Sequence, residues 1–311
     1  MKDTVTLKIK HQDSESSPSY WKTFNKWLKS NIPTYKDVKQ DISHKPMDTS
    51  QIMSHPEKMI EKKMKDTVTL KIKRQDSESS PSYWETFIIP YIPNSNVISC
   101  LMDIQTNPVN ANGETVNPVV WDCNCLEEVC GTCTMLINGK VKQSCSALID
   151  KLQKPIILEP MSKFPVVRDL AVDRSRMFEA LKKVQAWVTS DGYHDLGPGD
   201  RLSQKHQETA YKLSECMTCG CCVEACPQYS NTNNFIGAAA ISQSRLFNMH
   251  PTAKNNADAR LDILMQEGGI AACGNAQNCV EACPKSIPLT ESIAEIGRQV
   301  SGKLWQNIFK A

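Results

Sequence analysis

The stretch Cys216-Met217-Thr218-Cys219-Gly220-Cys221-Cys222-Val223-Glu224-Ala225-Cys226-Pro227 decides how this 311-residue chain is read. Three cysteines two residues apart, then a fourth next to proline, form a string in which three thiolates take corners of one iron-sulfur cubane and the fourth serves another cluster. The reason is geometric. Cys226 lies about one helical turn beyond Cys222, so its sulfur does not easily close the same cube as its three predecessors. A later run, Cys273-x5-Cys279-x3-Cys283-Pro284, repeats the frame, and by symmetry Cys283 crosses back. Cys216, Cys219, Cys222 and Cys283 then complete a 4Fe-4S site.

The repeat is one cysteine short. Its frame is 273, 276, 279 and 283, but position 276 is Ala276. Cys226, Cys273 and Cys279 are left as the thiolates of the second site, which most simply holds 3Fe-4S, a cluster with three protein ligands. Less thiolate charge near the iron raises its reduction potential, which suits the last position before a mild acceptor.

Upstream, Cys125-x4-Cys130-x2-Cys133 with a distant Cys145 has the plant-type spacing of a 2Fe-2S cluster. Small residues such as Gly131 and Thr132 let the backbone fold around the sulfides and aim N–H groups at sulfur, which offsets the cluster's negative charge. Cys123 competes with Cys125, but would open the first gap from four residues to six; it is read as a small buried residue. Cys100 and Cys221 are read as structural, because the three sites are already complete. Eleven of fourteen cysteines in these patterns do not divide into the sets of four that zinc requires, and none of the six histidines has ligand spacing.

Composition narrows the function further. Net charge is +2 and the 23% charged residues form no long basic block, so nucleic acid is excluded as a partner. The opening MKDTVTLKIKHQDSE lacks the apolar core of a signal peptide, and no stretch approaches the ~18 apolar residues of a membrane span. A cytoplasmic setting follows, in which grouped cysteines are cluster ligands rather than disulfides. Gly268-Gly269 and Gly139-Lys140 fit neither nucleotide-binding template, and no catalytic triad or dyad stands out. Three clusters without a substrate site describe an electron relay.

Residues 1–24 and 64–87 are the same segment twice, differing only at His11/Arg74 and Lys22/Glu85. A single duplication is no solenoid. One copy runs into Ile88-Ile89-Pro90; the other runs into a polar tract, and residues 1–63 carry a net charge of +4. They read as a disordered extension, with Met64 the working start; a partner-binding extension is the alternative. From Thr67 the pattern is β: strands at 67–72 and 83–89 around a turn, a helix over 97–102 capped by Asn96, a hairpin at Asn138-Gly139, and a closing strand at 156–159. Pro155, Pro160 and Pro165 mark a hinge, after which helical spacing appears at 173–187, 202–213, 260–266 and 288–298. The fold class is α+β, a plant-type ferredoxin (β-grasp) domain over 64–165 and a mainly α, bacterial ferredoxin-like domain over 166–311.

That order of domains and the strings WDCNCLEEVCGTCTMLINGK, LEPMSKFPVVRDLAVDRSRMF, CMTCGCCVEACP and CGNAQNCVEACPKSIPLTESIA resemble the iron-sulfur subunits of succinate dehydrogenase and fumarate reductase, in the form found in Gram-positive, menaquinone-using bacteria. The resemblance covers residues 64 to about 300. It implies a subunit on the cytoplasmic face of the cell membrane, peripheral, between an FAD-containing flavoprotein subunit and a membrane-anchor cytochrome b subunit. Electrons from succinate would pass through 2Fe-2S, 4Fe-4S and 3Fe-4S to menaquinone via the anchor, within the respiratory chain and the tricarboxylic acid cycle. In ubiquinone-using relatives a Trp past the Cys-Pro and a His after the third run's first cysteine help form a quinone site; here Asn231 and Gly274 stand there, so no proximal pocket is carried over. Rival readings are the same role in a fumarate reductase, the cluster subunit of another FAD-dependent dehydrogenase such as one for glycolate or glycerol 3-phosphate, and a zinc scaffold. Ala276 and the plant-type domain argue against the second.

Overall fold

The structure is a computed structural model, and it describes residues 67–188 and 201–310. The first copy of the repeat, and with it the expected extension over 1–63, lies outside these residues.

Strands β1 (Thr67–Arg74) and β2 (Tyr83–Pro90) pair antiparallel, from Thr67 opposite Pro90 to Arg74 opposite Tyr83. Alternation along β1 buries Val68, Leu70 and Ile72 completely. Helix α1 (Val97–Thr106) packs against this sheet; the Asn96 carboxamide accepts the Ser99 N–H at 2.9 Å, a cap worth about 1 kcal/mol. It runs a turn past the expected 97–102, because Ile104 extends the buried face of Val97, Ile98 and Leu101. Strands β3 (Thr134–Ile137) and β4 (Lys140–Gln143) meet at Asn138-Gly139, both with positive φ (50° and 73°), the geometry of a type I′ turn. Strand β5 (Ile156–Glu159) inserts between β1, to which it is parallel, and β3, to which it is antiparallel, giving the order β2-β1-β5-β3-β4.

Arg74 takes the next core-facing position of β1 after Ile72 and is buried. Its guanidinium donates to both oxygens of buried Asp169 (2.8 and 3.2 Å), to Glu85, and to the carbonyl of Asn117 at 3.0 Å. The two positions at which the repeats differ, 74 and 85, are therefore partners in one ion pair, buried on the Arg74 side and partly exposed on the Glu85 side.

The proline-rich stretch is clamped rather than free. Met161 and Phe164 enter the helical core, while the Glu224 carboxylate accepts hydrogen bonds from the Ser162 N–H (2.9 Å), the Ser162 hydroxyl (2.6 Å) and the Lys163 N–H (3.2 Å). A small hairpin of β6 (Val166–Arg168) and β7 (Ala171–Val172) then returns Leu170 to the core of the first sheet.

Beyond it come α2 (Ser175–Lys183), α3 (Gln204–Ser214), α4 (Cys221–Glu224), α5 (Gly237–Met249), α6 (Ala257–Met265), α7 (Asn278–Glu281) and α8 (Leu289–Lys310). Helix α2 is shorter than the expected 173–187, because Gln185 turns to φ 49° and ends it. Helix α8 runs about three turns past Arg298. Helix α5 leaves no periodic signal in the sequence: Ala238 to Ser242 and Ser244 are all buried, so it has little polar face from which a period of 3.6 could be read.

Candidate cluster sites

The first site is built on the β3–β4 hairpin. With Thr134 paired to Gln143, the residues just outside the ladder are brought together, and the Ser144 N–H donates to the Cys133 carbonyl at 3.2 Å. The distant spacing of Cys133 and Cys145 is thus the length of one two-residue hairpin, and both cysteines are buried. Ahead of it the chain coils, with Leu126, Glu128 and Gly131 at positive φ (63°, 56° and 71°). This coil turns backbone N–H groups inward: Glu127, Val129 and Cys130 donate to the Cys125 sulfur at 3.5, 3.3 and 3.3 Å, and Cys125 donates to the Cys130 sulfur at 3.5 Å. Burial opposes ionisation of Cys130, but hydrogen bonds from the Cys125 backbone and from Thr132 bring its thiol down to about 6. Burial, with Cys133 beside it, pushes Cys145 up to about 11. An all-sulfur donor set ringed by N–H groups fits a 2Fe-2S cluster, whose bridging sulfides and thiolates are electron-rich.

Cys123 corrects an expectation: it is exposed, not buried. Among the described residues nothing covers the outer wall of the coil that wraps the site, and Leu126 and Val129 are exposed beside it.

The two later runs have matching geometry. A left-handed residue (Gly220, Gln277) starts each four-residue helix (α4, α7), and each helix leads into Ala-Cys-Pro. Cys226 and Cys283 both donate their N–H three residues back, to Val223 and Val280. One turn of helix therefore separates the last cysteine from its predecessors in both runs. Cys216, Cys219, Cys222 and Cys283 line one pocket, closed by Met177, Ala239 and Leu289. Cys226, Cys273 and Cys279 line another, with Pro227, Phe235 and Ile293. Ala276 sits on the exposed rim of that second pocket, its methyl standing where the frame would place a thiol. Asn275 and Gln277, at φ 52° and 64°, bend this loop around it.

Several contacts at these sites have no counterpart in the cysteine spacing. Cys221 is buried and hydrogen-bonded to Cys219; this bond lowers Cys219 to about 7 against the opposing effect of burial, and it raises Cys221, with burial adding to the rise. The Gln143 amide reaches the same Cys221 sulfur at 3.5 Å, tying β4 to the second run. Arg174 donates to the Gly131 carbonyl at 2.7 Å, to the Thr132 carbonyl, and to the Cys219 carbonyl at 3.3 Å. Burial lowers the guanidinium's proton affinity, and Asp122 and the thiols of Cys219 and Cys133 oppose that. None of these residues has a spacing signal; only the three-dimensional approach of the two loops reveals them.

Three thiol-lined sites, one in a β-sheet unit and two shared between twin ferredoxin-type turns, define an iron-sulfur electron carrier. Comparison with known proteins agrees. Residues 69–179 match the model of a 2Fe-2S iron-sulfur cluster binding domain, and residues 212–287 that of a 4Fe-4S dicluster domain. The chain is 58% identical over 243 residues to the succinate dehydrogenase iron-sulfur subunit of Bacillus subtilis, covering 78% of this chain and 96% of that protein. It is 26% identical over 239 residues to the fumarate reductase iron-sulfur subunit of Wolinella succinogenes, covering 75% and 97%. In fold it is similar to a chain of the Mycobacterium smegmatis Sdh1 complex in the apo form, with a TM-score of 0.64 at 22% identity over 77% of this chain and 97% of that one. The chain belongs to the family of succinate dehydrogenase iron-sulfur subunits.

Proposed function

We propose that this chain relays electrons within a succinate:menaquinone oxidoreductase, between an FAD-containing flavoprotein and a membrane anchor of the cytochrome b type. The observation that carries this reading is the sorting of eleven cysteines into a set of four on the sheet and pockets of four and three in the helical half. Cys125, Cys130, Cys133 and Cys145 would hold 2Fe-2S; Cys216, Cys219, Cys222 and Cys283, 4Fe-4S; and Cys226, Cys273 and Cys279, 3Fe-4S. When bound, these clusters supply reversible one-electron storage at three potentials.

The protein contributes insulation and dipoles. Backbone N–H groups around Cys125 and the Cys221 hydrogen bond to Cys219 stabilise negative charge on sulfur. Apolar walls such as Phe235, Ile287 and Leu289 keep water from the two inner pockets. Division of labour between 64–165 and 166–311 follows the site types. Exposed Leu126 and Val129 at the first site offer a contact for the flavoprotein. Among the described residues no helix is long and apolar enough to cross a membrane, so attachment to the cytoplasmic face of the membrane would come through the anchor. The 58% identity to a succinate dehydrogenase subunit, against 26% to a fumarate reductase subunit, supports succinate oxidation as the working direction.

Iron and acid-labile sulfide analysis of the anaerobically purified complex, with low-temperature EPR, tests the assignment. An oxidised 3Fe-4S signal and a dithionite-reduced 2Fe-2S signal are expected. Stoichiometric zinc with neither signal overturns it.

A further inference from the structure

The backbones of the first and second cluster loops touch. A Cβ placed on Gly131 would lie 2.6 Å from Cys219 Cβ and 2.7 Å from Cys219 Cα, so the loops meet at van der Waals distance through the one residue type small enough to permit it. Across this seam lies a single guanidinium. Arg174, the residue before helix α2, donates from one nitrogen to both the Gly131 carbonyl (2.7 Å) and the Cys219 carbonyl (3.3 Å), and from the other to the Thr132 carbonyl. Gly131 and Thr132 lie between two thiols of the first site, and Cys219 is a thiol residue of the second. Arg174 thus bonds to both loops at once, and it lies within electrostatic range of thiols from each, Cys133 and Cys219.

Two consequences follow from elementary electrostatics. A fixed positive charge beside a thiolate-bound cluster stabilises the more negative, reduced form and raises its reduction potential. A rigid planar fork that bonds carbonyls of two loops also fixes the gap between them, which a lone ammonium does less well. We propose that Arg174 is a positioning residue for electron transfer between the first and second clusters, holding their loops at contact and raising the potentials of both together. This rests on the ligand assignment given above. Three carbonyls from two loops and a thiol pair shared by one cation distinguish Arg174 from Arg176, two residues on, whose donors go to Asn233, Ser230 and Phe235 outside the seam.

The test uses the intact complex carrying Arg174→Gln or Arg174→Lys. Iron content and the EPR line shapes of each cluster report on the ligand assignment, while redox titration followed by EPR reports on Arg174. In the Gln variant both the 2Fe-2S and the 4Fe-4S midpoint potentials shift downward, the 3Fe-4S potential stays in place, and the magnetic broadening of the reduced 2Fe-2S signal by its reduced neighbour weakens. In the Lys variant the charge is retained and the two potentials return toward wild type, while the broadening stays altered. Unchanged potentials in Arg174→Gln, or a shift at one cluster alone, overturn the proposal. Should the Gln variant fail to assemble, the Lys variant decides: assembly with near-native potentials supports the proposal, and equal loss of clusters overturns it.

Discussion

On the proposed ligand assignment, Ala276 is the one side chain that would set the identity of a cofactor. Its methyl lies on the exposed rim of the pocket lined by Cys226, Cys273 and Cys279, in a loop bent by Asn275 and Gln277. Ala276→Cys adds a sulfur at the rim of this pocket, in the position the ferredoxin frame would fill. We expect the oxidised 3Fe-4S EPR signal to diminish in favour of 4Fe-4S, with a lower midpoint potential at that site; an unchanged spectrum in a folded, iron-replete variant would place the vacancy elsewhere. Cys221 offers a second test. Its sulfur hydrogen-bonds Cys219, so Cys221→Ala removes a donor to a cluster thiolate and should lower the 4Fe-4S potential while leaving the iron content unchanged, as read by redox titration. The proposed ligand cysteines stand out by spacing because a cluster constrains its donors over a few residues. The bond from Cys221 to Cys219 is invisible in the spacing because it depends on the direction of an S–H group, and the exposure of Cys123 is invisible because nothing local signals that no described residue covers its loop.

At the level of strands and helices, legibility followed the pattern of exposure. Strands β1 and β2 and the Asn138-Gly139 hairpin have one wet face or a demanding turn, and both leave marks in the sequence; helix α5, buried on most sides, leaves none. Arg74 belongs to this scale. It ends the buried face of β1 and is neutralised by Asp169 and by Glu85 from β2. The first repeat carries His11 and Lys22 where these residues stand, so its sequence would set a cation where Glu85 receives the guanidinium. Placing those residues in the second repeat, as Arg74→His with Glu85→Lys, should cost about 3–5 kcal/mol, the penalty for breaking a buried pair. Thermal unfolding of the complex checks this, and a midpoint equal to wild type would show that the pair is dispensable.

On the scale of the whole molecule, the boundary between the halves is written in contacts rather than composition. The prolines marked a hinge, yet Ser162 and Lys163 are held by Glu224, and Leu170 returns to the sheet's core after Met161 and Phe164 have entered the helical one. Gly131 lies on the same seam. Gly131→Ala would place a methyl at positive φ, at about 1–3 kcal/mol, and drive the two loops apart. The expected result is slower reduction of the second site after flash reduction of the first, with each cluster's own spectrum retained; undiminished transfer would show that the close approach is unnecessary.

The pocket shared by Cys216, Cys219, Cys222 and Cys283 also governs when the polypeptide can be loaded with metal. Its fourth wall leaves the ribosome more than sixty residues after the third, and the neighbouring pocket likewise waits for Cys273 and Cys279. On the proposed ligand assignment, a nascent or truncated chain ending before residue 273 can therefore ripen only the sheet-borne centre, and maturation of the inner pair must wait for Cys273, Cys279 and Cys283.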